Sequence, residues 1–540
     1  MLTMRFISRT LCAVAVSSTL LLAADPAPLA DLRVADGKEL IAHWQKTPIG
    51  RTWADPALAP LHAKWAEAEA KVQETTGATL TAWLEATSQT QALITESPTA
   101  IPGFRVSSDL GALAAGVIPR LSKDAATSKS VTVAGADEAI TDPEARVTLA
   151  RLGTALVAFG GGLGVIPAKP SPVEADLLGV LHVESAIRWV ESLPVEDQEA
   201  RRAISQMVVA YKAAKVREVD YRLSLVPEGV LEVMTSDGVM TPGYLPVDQA
   251  LVARLQATTV SALAMGFDMS VAWKEQRATV LAQWAPMLLG RDPKDPDAVE
   301  AEINRVMATM GLPVTVAQLA ETKGTMVVAL SPGMPVPGLT IWLPRSAGVD
   351  QVMATAATKM QATLPAEGTS TPVLIPGVPL PLTLARDASH WAITTDPQQN
   401  DAFLAAKPGG WADTPAWKLA VQRAPAGAPV MAASDTPAFL RMVSGLAGMA
   451  LGMQKQGDPA LRQAILQGLA RLGREASTGY LVVGTREGRQ IMETRSVTGL
   501  VSLPIVAGGI AFVAADAKAK ARAGKKPAPE SGPKQDAPGF

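Results

Sequence analysis

Four histidines, one cysteine and 51 acidic residues are the groups through which this 540-residue chain would do chemistry. The histidines, His43, His62, His182 and His390, stand far apart in the sequence. None forms the His-Glu-x-x-His helix that turns two imidazoles toward one zinc ion. His182 and Glu184 make a bare His-x-Glu, but a deaminase-type zinc site also needs cysteines, and those are missing. The single cysteine, Cys12, lies within the first 24 residues. The chain beyond them therefore has no thiol for a disulfide, a zinc thiolate or a covalent nucleophile.

Other motifs point the same way. Gly160-Gly161-Gly162-Leu163-Gly164 follows a strand-like run, as a phosphate-cradling loop would. The dinucleotide fingerprint also needs a helix opening there, and Val165-Ile166-Pro167, Pro170 and Pro172 do not supply one. No serine sits in a Gly-x-Ser-x-Gly elbow, and the one Ser-x-x-Lys, Ser531 to Lys534, falls in the tail. Asp292, Asp295, Asp297, Glu300 and Glu302 cluster like calcium ligands, but Pro293 and Pro296 interrupt them where a calcium loop needs glycine. That segment reads as a loop ending in a capped helix. Trp44, Trp53, Trp65 and Trp83 are expected to anchor a core more than to form a binding platform. The pattern calls for no metal and no cofactor. Paired glycosidase carboxylates are a spatial property and stay open.

The elements that would position such groups belong to a globular chain. Apolar residues make up 48% and charged residues 19%, which excludes a largely disordered protein. A formal charge of −2 argues against a nucleic-acid surface. Residues 1–24 have the three parts of a secretory signal: Arg5 and Arg9, an apolar run from Leu11 to Leu22, and a small-residue exit at Ala23-Ala24. Near the other end, 496–515 is uncharged up to Ala515 and is followed by Lys518, Lys520, Arg522, Lys525 and Lys526. A stretch of about 20 such residues suits a transmembrane helix with its basic flank inside. A buried strand or helix is the alternative, because Pro504, Gly499, Gly508 and Gly509 interrupt the run. Residues 516–540 read as a basic, disordered tail.

Between these ends the sequence echoes itself. Thr148-Leu149-Ala150-Arg151 recurs as Thr383-Leu384-Ala385-Arg386, each followed by a strand-like run. Asp36 to Trp44 resembles Asp268 to Trp273, Ser97-Pro98 answers Ser331-Pro332, and Ile187 to Val190 answers Leu440 to Val443. Hairpins beginning at Tyr221 and Tyr480 carry Glu228-Gly229 and Glu487-Gly488 at their turns. The offset grows in chain order, from 232 (Asp36 to Asp268) to 259 (Tyr221 to Tyr480), as duplication with loop insertions would produce. The expected fold is α+β: two tandem diverged repeats, 25–257 and 258–495, each mainly antiparallel sheet backed by helices. The best single helix spans Glu196 to Lys215, with Ile204, Met207, Val208 and Tyr211 on one face. Asp55-Pro56 and Asp458-Pro459 should each open a helix.

The segment from His43 to Ala57, His-Trp-Gln-Lys-Thr-Pro-Ile-Gly-Arg-Thr-Trp-Ala-Asp-Pro-Ala, resembles the start of a family of uncharacterised exported bacterial proteins. The resemblance covers about sixty residues and implies an exported α+β body, with no activity to carry over to any residue. The expected function is a non-catalytic, membrane-tethered protein on the periplasmic side of a bacterial envelope, binding an apolar ligand such as a lipid in a groove left by helix-backed sheets. Two alternatives remain: a cell-envelope hydrolase with paired carboxylates, and a purely structural interaction protein.

Overall fold

The computed structural model describes residues 27–499, apart from 98–101, 125–128, 143–145, 162, 164–173, 193–211, 213–214, 239–241, 290–294, 334–336, 375–381 and 454–457. The signal-like segment, nearly all of the helix expected over 196–215, and the C-terminal segments beyond 499 lie outside the described residues.

Ten strands come from the first half of the chain: β1 (Pro28–Val34), β2 (Ser88–Thr95), β3 (Gly103–Asp109), β4 (Lys129–Ser130), β5 (Glu138–Asp142), β6 (Val147–Leu152), β7 (Ala155–Gly160), β8 (Leu177–His182), β9 (Glu218–Val226) and β10 (Gly229–Ser236). Nine follow: β11 (Ser261–Asp268), β12 (Lys323–Ser331), β13 (Gly338–Pro344), β14 (Thr369–Val373), β15 (Leu382–Arg386), β16 (His390–Thr394), β17 (Val430–Ser434), β18 (Gly479–Arg486) and β19 (Arg489–Ser496). All join one sheet, and their described pairings are antiparallel. With helices in the connections, the chain is an α+β protein.

The two halves meet where β10 pairs with β19. From one edge toward that seam the order is β5-β6-β7-β3-β2-β1-β8-β9-β10, with the two-residue β4 outside β5. From the other edge it is β14-β15-β16-β13-β12-β11-β17-β18-β19. The outer edges are blunted against further pairing: β4 is very short, and β14 carries Pro372, which has no N–H to offer.

Local sequence explains the helix starts. Asp55, Asp295, Asp396 and Asp458 each precede a proline, and each accepts the N–H of the residue two positions on. The aspartate satisfies a donor the helix leaves free, worth about 1 kcal/mol, and proline occupies a position whose N–H would be unpaired anyway. At the seam, Gly229 closes the β9–β10 hairpin with a φ of +143°, and a Cβ there would lie 2.3 Å from the Ser496 carbonyl oxygen. Glycine is what lets the end of β19 pass this turn.

Because in-register partners in an antiparallel sheet share a face, the pairings assign every side chain to one of two sides. In the second half, Ala264, Val327, Trp342, Ala392, Met431 and Val482 share one face and are buried. They join a single core with Leu251, Phe403, Trp411 and Trp417, contributed by the short elements Gln249–Ala253, Pro397–Ala405, Trp411–Asp413 and Pro415–Arg423, and with Leu255 just after the first of these. The logic is one of complementary volume. Alanines at 262, 264, 385, 392 and 433 keep the sheet surface low, and bulky aromatics from the helices fill the space above. Trp342 packs against Phe403 with ring centroids 5.3 Å apart. This face is sealed.

Truncating Trp342 to alanine should cost about 3–5 kcal/mol in chemical denaturation. Trp65→Ala, at a side chain 42% exposed, should cost no more than about 1 kcal/mol.

Candidate functional site: the open face of the sheet

The opposite face of the second half is also apolar but unevenly covered: Leu384 and Trp391 on it are fully buried, and Trp391 Nε1 donates to Asp350 Oδ1 at 2.7 Å from the helix Ala347–Lys359. Leu263, Met265, Val328, Ile341, Val430 and Leu481 share it by register, and all are half-buried. Leu339, at the end of β13, is 40% exposed. The same face continues across the seam. Met492 pairs with Met234, Met234 with Tyr221, Tyr221 with Gly179, Gly179 with Leu32, Leu32 with Ala92 and Ala92 with Val106. Helices stand over it and close parts of it: Phe104 in the first half, Glu232 and Thr494 at the junction of the halves, and Trp391 in the second are fully buried. Ile187, on the helix Val183–Ser192, packs near Met234. The helix Thr436–Met453 is markedly apolar, yet between Thr436 and Gly448 it buries no side chain fully.

At the seam, each half contributes a tyrosine–glutamate pair. Tyr221 Oη donates to Glu232 Oε1 at 2.7 Å, and Tyr480 Oη donates to Glu493 Oε1 at 2.7 Å. Glu232 and Glu493 are only 1% and 5% exposed. Burial first, and the adjoining carboxylate second, push both phenols well above their usual pKa. The register has a consequence for catalysis. Glu232 pairs with Thr494 and Val233 with Glu493, so the two carboxylates point to opposite faces. They do not form an acid–base pair.

The most enzyme-like cluster lies in the β15–β16 turn, and sequence reading passed over its serine. Ser389 Oγ is 2.8 Å from His390 Nδ1 and 3.0 Å from Asp387 Oδ1. His390 Nε2 lies 3.1 Å from the Thr325 carbonyl oxygen, which only accepts, so Nε2 carries the proton and Nδ1 faces the serine. A hydrolase would also need free donors for an oxyanion. The N–H groups of Ser389 and His390 both donate instead to Asp387 Oδ1, at 2.8 Å each, and Arg254 holds Oδ2 at 3.0 Å. The cluster locks a turn. Its adjacency in sequence, Asp-x-Ser-His, was the signal available.

The remaining residues singled out by sequence disperse. His43 Nδ1 bonds Asp176 at 2.7 Å, His62 Nε2 meets the Trp53 carbonyl at 2.6 Å, and His182 lies 3.5 Å from Glu218. Asp295 caps a helix, Asp297 and Glu300 bind Arg277, and Glu302 binds Arg305. Among the described residues no group of three metal-binding side chains converges. Gly160 ends β7 and Gly161 turns with a φ of +72°. Trp53 stacks edge-on against His62 and Trp65, and Trp83 Nε1 donates to Thr76 at 2.9 Å. These tryptophans are not sealed in a core as expected: Trp44, Trp53 and Trp83 are half-buried and Trp65 is exposed. Trp53, Trp65 and Trp83 take these partners from neighbouring helical segments. A depression of about 420 Å³ beside Gly311, Pro313 and Thr355 is rimmed by Lys359, whose ammonium caps the helix ending near Met310.

No family model, curated protein or solved structure matches the chain. The open apolar face is therefore the candidate site on its own geometry. Among the described residues no helix is long and apolar enough to cross a membrane.

Burial holds the His390 imidazole below the usual histidine pKa, against the upward pull of Asp387. A depressed histidine costs stability as pH falls, because the unfolded chain takes the proton first, near pH 6.5. Between about pH 7 and 5, the loss of denaturation free energy should be smaller in His390→Gln than in the parent protein.

Proposed function

We propose that this protein is a non-catalytic carrier of an apolar ligand, exported to the periplasmic side of the envelope and tethered there by its 496–515 segment. One observation carries the reading. The sheet is apolar on both sides of its second half, yet on one side Leu263, Met265, Val328, Ile341, Val430 and Leu481 stay only partly buried and Leu339 is exposed. Contiguous exposed apolar surface costs about 25 cal/mol for each Å² left in water, and folded chains keep large patches of it mainly where something binds. A hydrocarbon chain is the ligand such a surface recovers that free energy from.

The two halves are, in the same proposal, diverged copies of one unit. Supporting this are the matching order of nine strands on each side of the seam and the placement of the four-residue echo. Thr148–Arg151 lies in β6 and Thr383–Arg386 in β15, the second-from-edge strand of each nine. The hairpin echo is looser. Tyr221 and Tyr480 lie on corresponding strands but face opposite sides of the sheet.

The test is native mass spectrometry of the mature chain purified from its own envelope without added lipid. A reproducible adduct of lipid mass, displaced by a fluorescent fatty acid that binds saturably, is the expected result. A clean apo mass together with no saturable fatty-acid binding would reject the carrier reading.

A further inference from the structure

We infer that the segment Pro48–Thr76 is a latch between the two halves, which lets go of the helix Pro459–Glu475 as one unit while the sheet stays whole, and that salt favours release. The inference goes beyond the carrier reading and does not depend on it. Its ground is where the two partners sit in the chain. Pro48–Thr76 belongs to the connection between β1 and β2, which pair directly with each other. Pro459–Glu475 belongs to the connection between β17 and β18, which also pair directly. Each partner is thus an excursion between neighbouring strands. Parting them breaks no strand pairing.

The contacts that hold them lie near the surface. Arg51 Nε donates to Glu475 Oε2 at 2.8 Å, and its Nη2 donates to the Glu475 carbonyl oxygen at 3.2 Å. Arg471 binds the other carboxylate oxygen of Glu475 at 2.8 Å and lies 3.8 Å from Asp55. These four side chains are between 21% and 38% exposed, so dissolved ions reach and screen the ladder. Arg51 also donates to the carbonyl oxygens of Lys46 and Pro227, both in the first half, and keeps those partners when Glu475 leaves. One apolar side chain completes the joint. Leu58 is 3% exposed, and a Cβ on Gly468 would lie 3.3 Å from its Cδ2. Glycine gives the leucine its seat. Beyond Leu58 the latch is thinly packed, since from Ala59 to Glu74 no residue is buried. Its other end runs back into the helix Gly37–Lys46, which stays with the first half through His43 and Asp176, 2.7 Å apart. A region with so little buried apolar contact opens locally before the sheet does.

Hydrogen–deuterium exchange on the full mature chain, read by mass spectrometry at low and high salt, tests the latch. A helix of this length is marginal once unpacked, so its amides exchange on release. In the unaltered protein, high salt should speed exchange in peptides from 51–76 and 459–475 in step, with β1, β2, β17 and β18 unchanged. Gly468→Val fills the seat of Leu58 and should speed both segments about tenfold even at low salt. Arg51→Gln should remove most of the salt response, because the screened charge is gone. If salt leaves both segments of the unaltered protein as they were, or quickens one without the other, the inference falls. Exchange rising in the four strands as well would mean opening of the whole sheet and would overturn it equally. Neither result bears on fatty-acid binding, which tests the carrier reading separately.

Discussion

Seven consecutive residue pairs between β10 and β19 turn two halves of a chain into one sheet. Everything else inherits its orientation from that seam. Because side chains alternate across a strand, the register of these seven pairs decides which residues of the first half share a face with which residues of the second. A slip of one position would set the open face of one half against the sealed face of the other. Further contacts hold the halves in this register. Arg489 of β19 binds Asp220 of β9 at 2.6 Å, and Arg51 of an N-terminal helix binds Glu475 at 2.8 Å. Gly229 admits the end of β19 beside the first hairpin. The buried Glu232 and Glu493 each find a tyrosine hydroxyl within their own hairpin, so neither carboxylate is left without a donor at a place where water is scarce.

Between β16 and β17 the chain supplies Pro397–Ala405, the short turn Trp411–Asp413 and Pro415–Arg423, and these carry Phe403, Trp411 and Trp417 onto the sealed face. The strands beneath are alanine-rich on that side, so large rings reach close to the backbone. On the other side the same strands carry Leu, Met, Ile and Val, residues large enough to fill a core yet here left half-buried. Four methionines on this face, Met234, Met265, Met326 and Met492, are unbranched and polarisable, and adapt to a guest more readily than branched side chains do. A surface that is both apolar and adaptable suits a ligand class, such as acyl chains of mixed length, more than one shape.

Much of the architecture was legible in the sequence. Asp-Pro pairs marked helix starts correctly because capping is a local effect, settled within four residues. Alternating runs with short turns implied antiparallel strands, and both Thr-Leu-Ala-Arg segments fell in strands, β6 and β15. Two features were not legible. The joining of both halves into one sheet depends on β10 meeting β19 across some 260 residues, and no local pattern encodes a partner. Nor was the register of the two hairpins legible: Pro227-Glu228 makes the first turn and Glu487-Gly488 the second, one residue out of step relative to their Glu-Gly pairs, so Tyr221 and Tyr480 lie on opposite faces. A parity error of one residue is invisible to composition and decisive in a sheet.

The candidate site was legible only in outline. In β11, Ser-Ala-Leu-Ala-Met-Gly-Phe carries apolar side chains on both alternate sets, which signals a strand covered on both faces. Sequence could not say that only one cover is complete. Filling the space would have been easy for a chain this rich in leucine and methionine. A scaffold would gain stability by closing the gap, since each buried methylene adds about 0.8 kcal/mol.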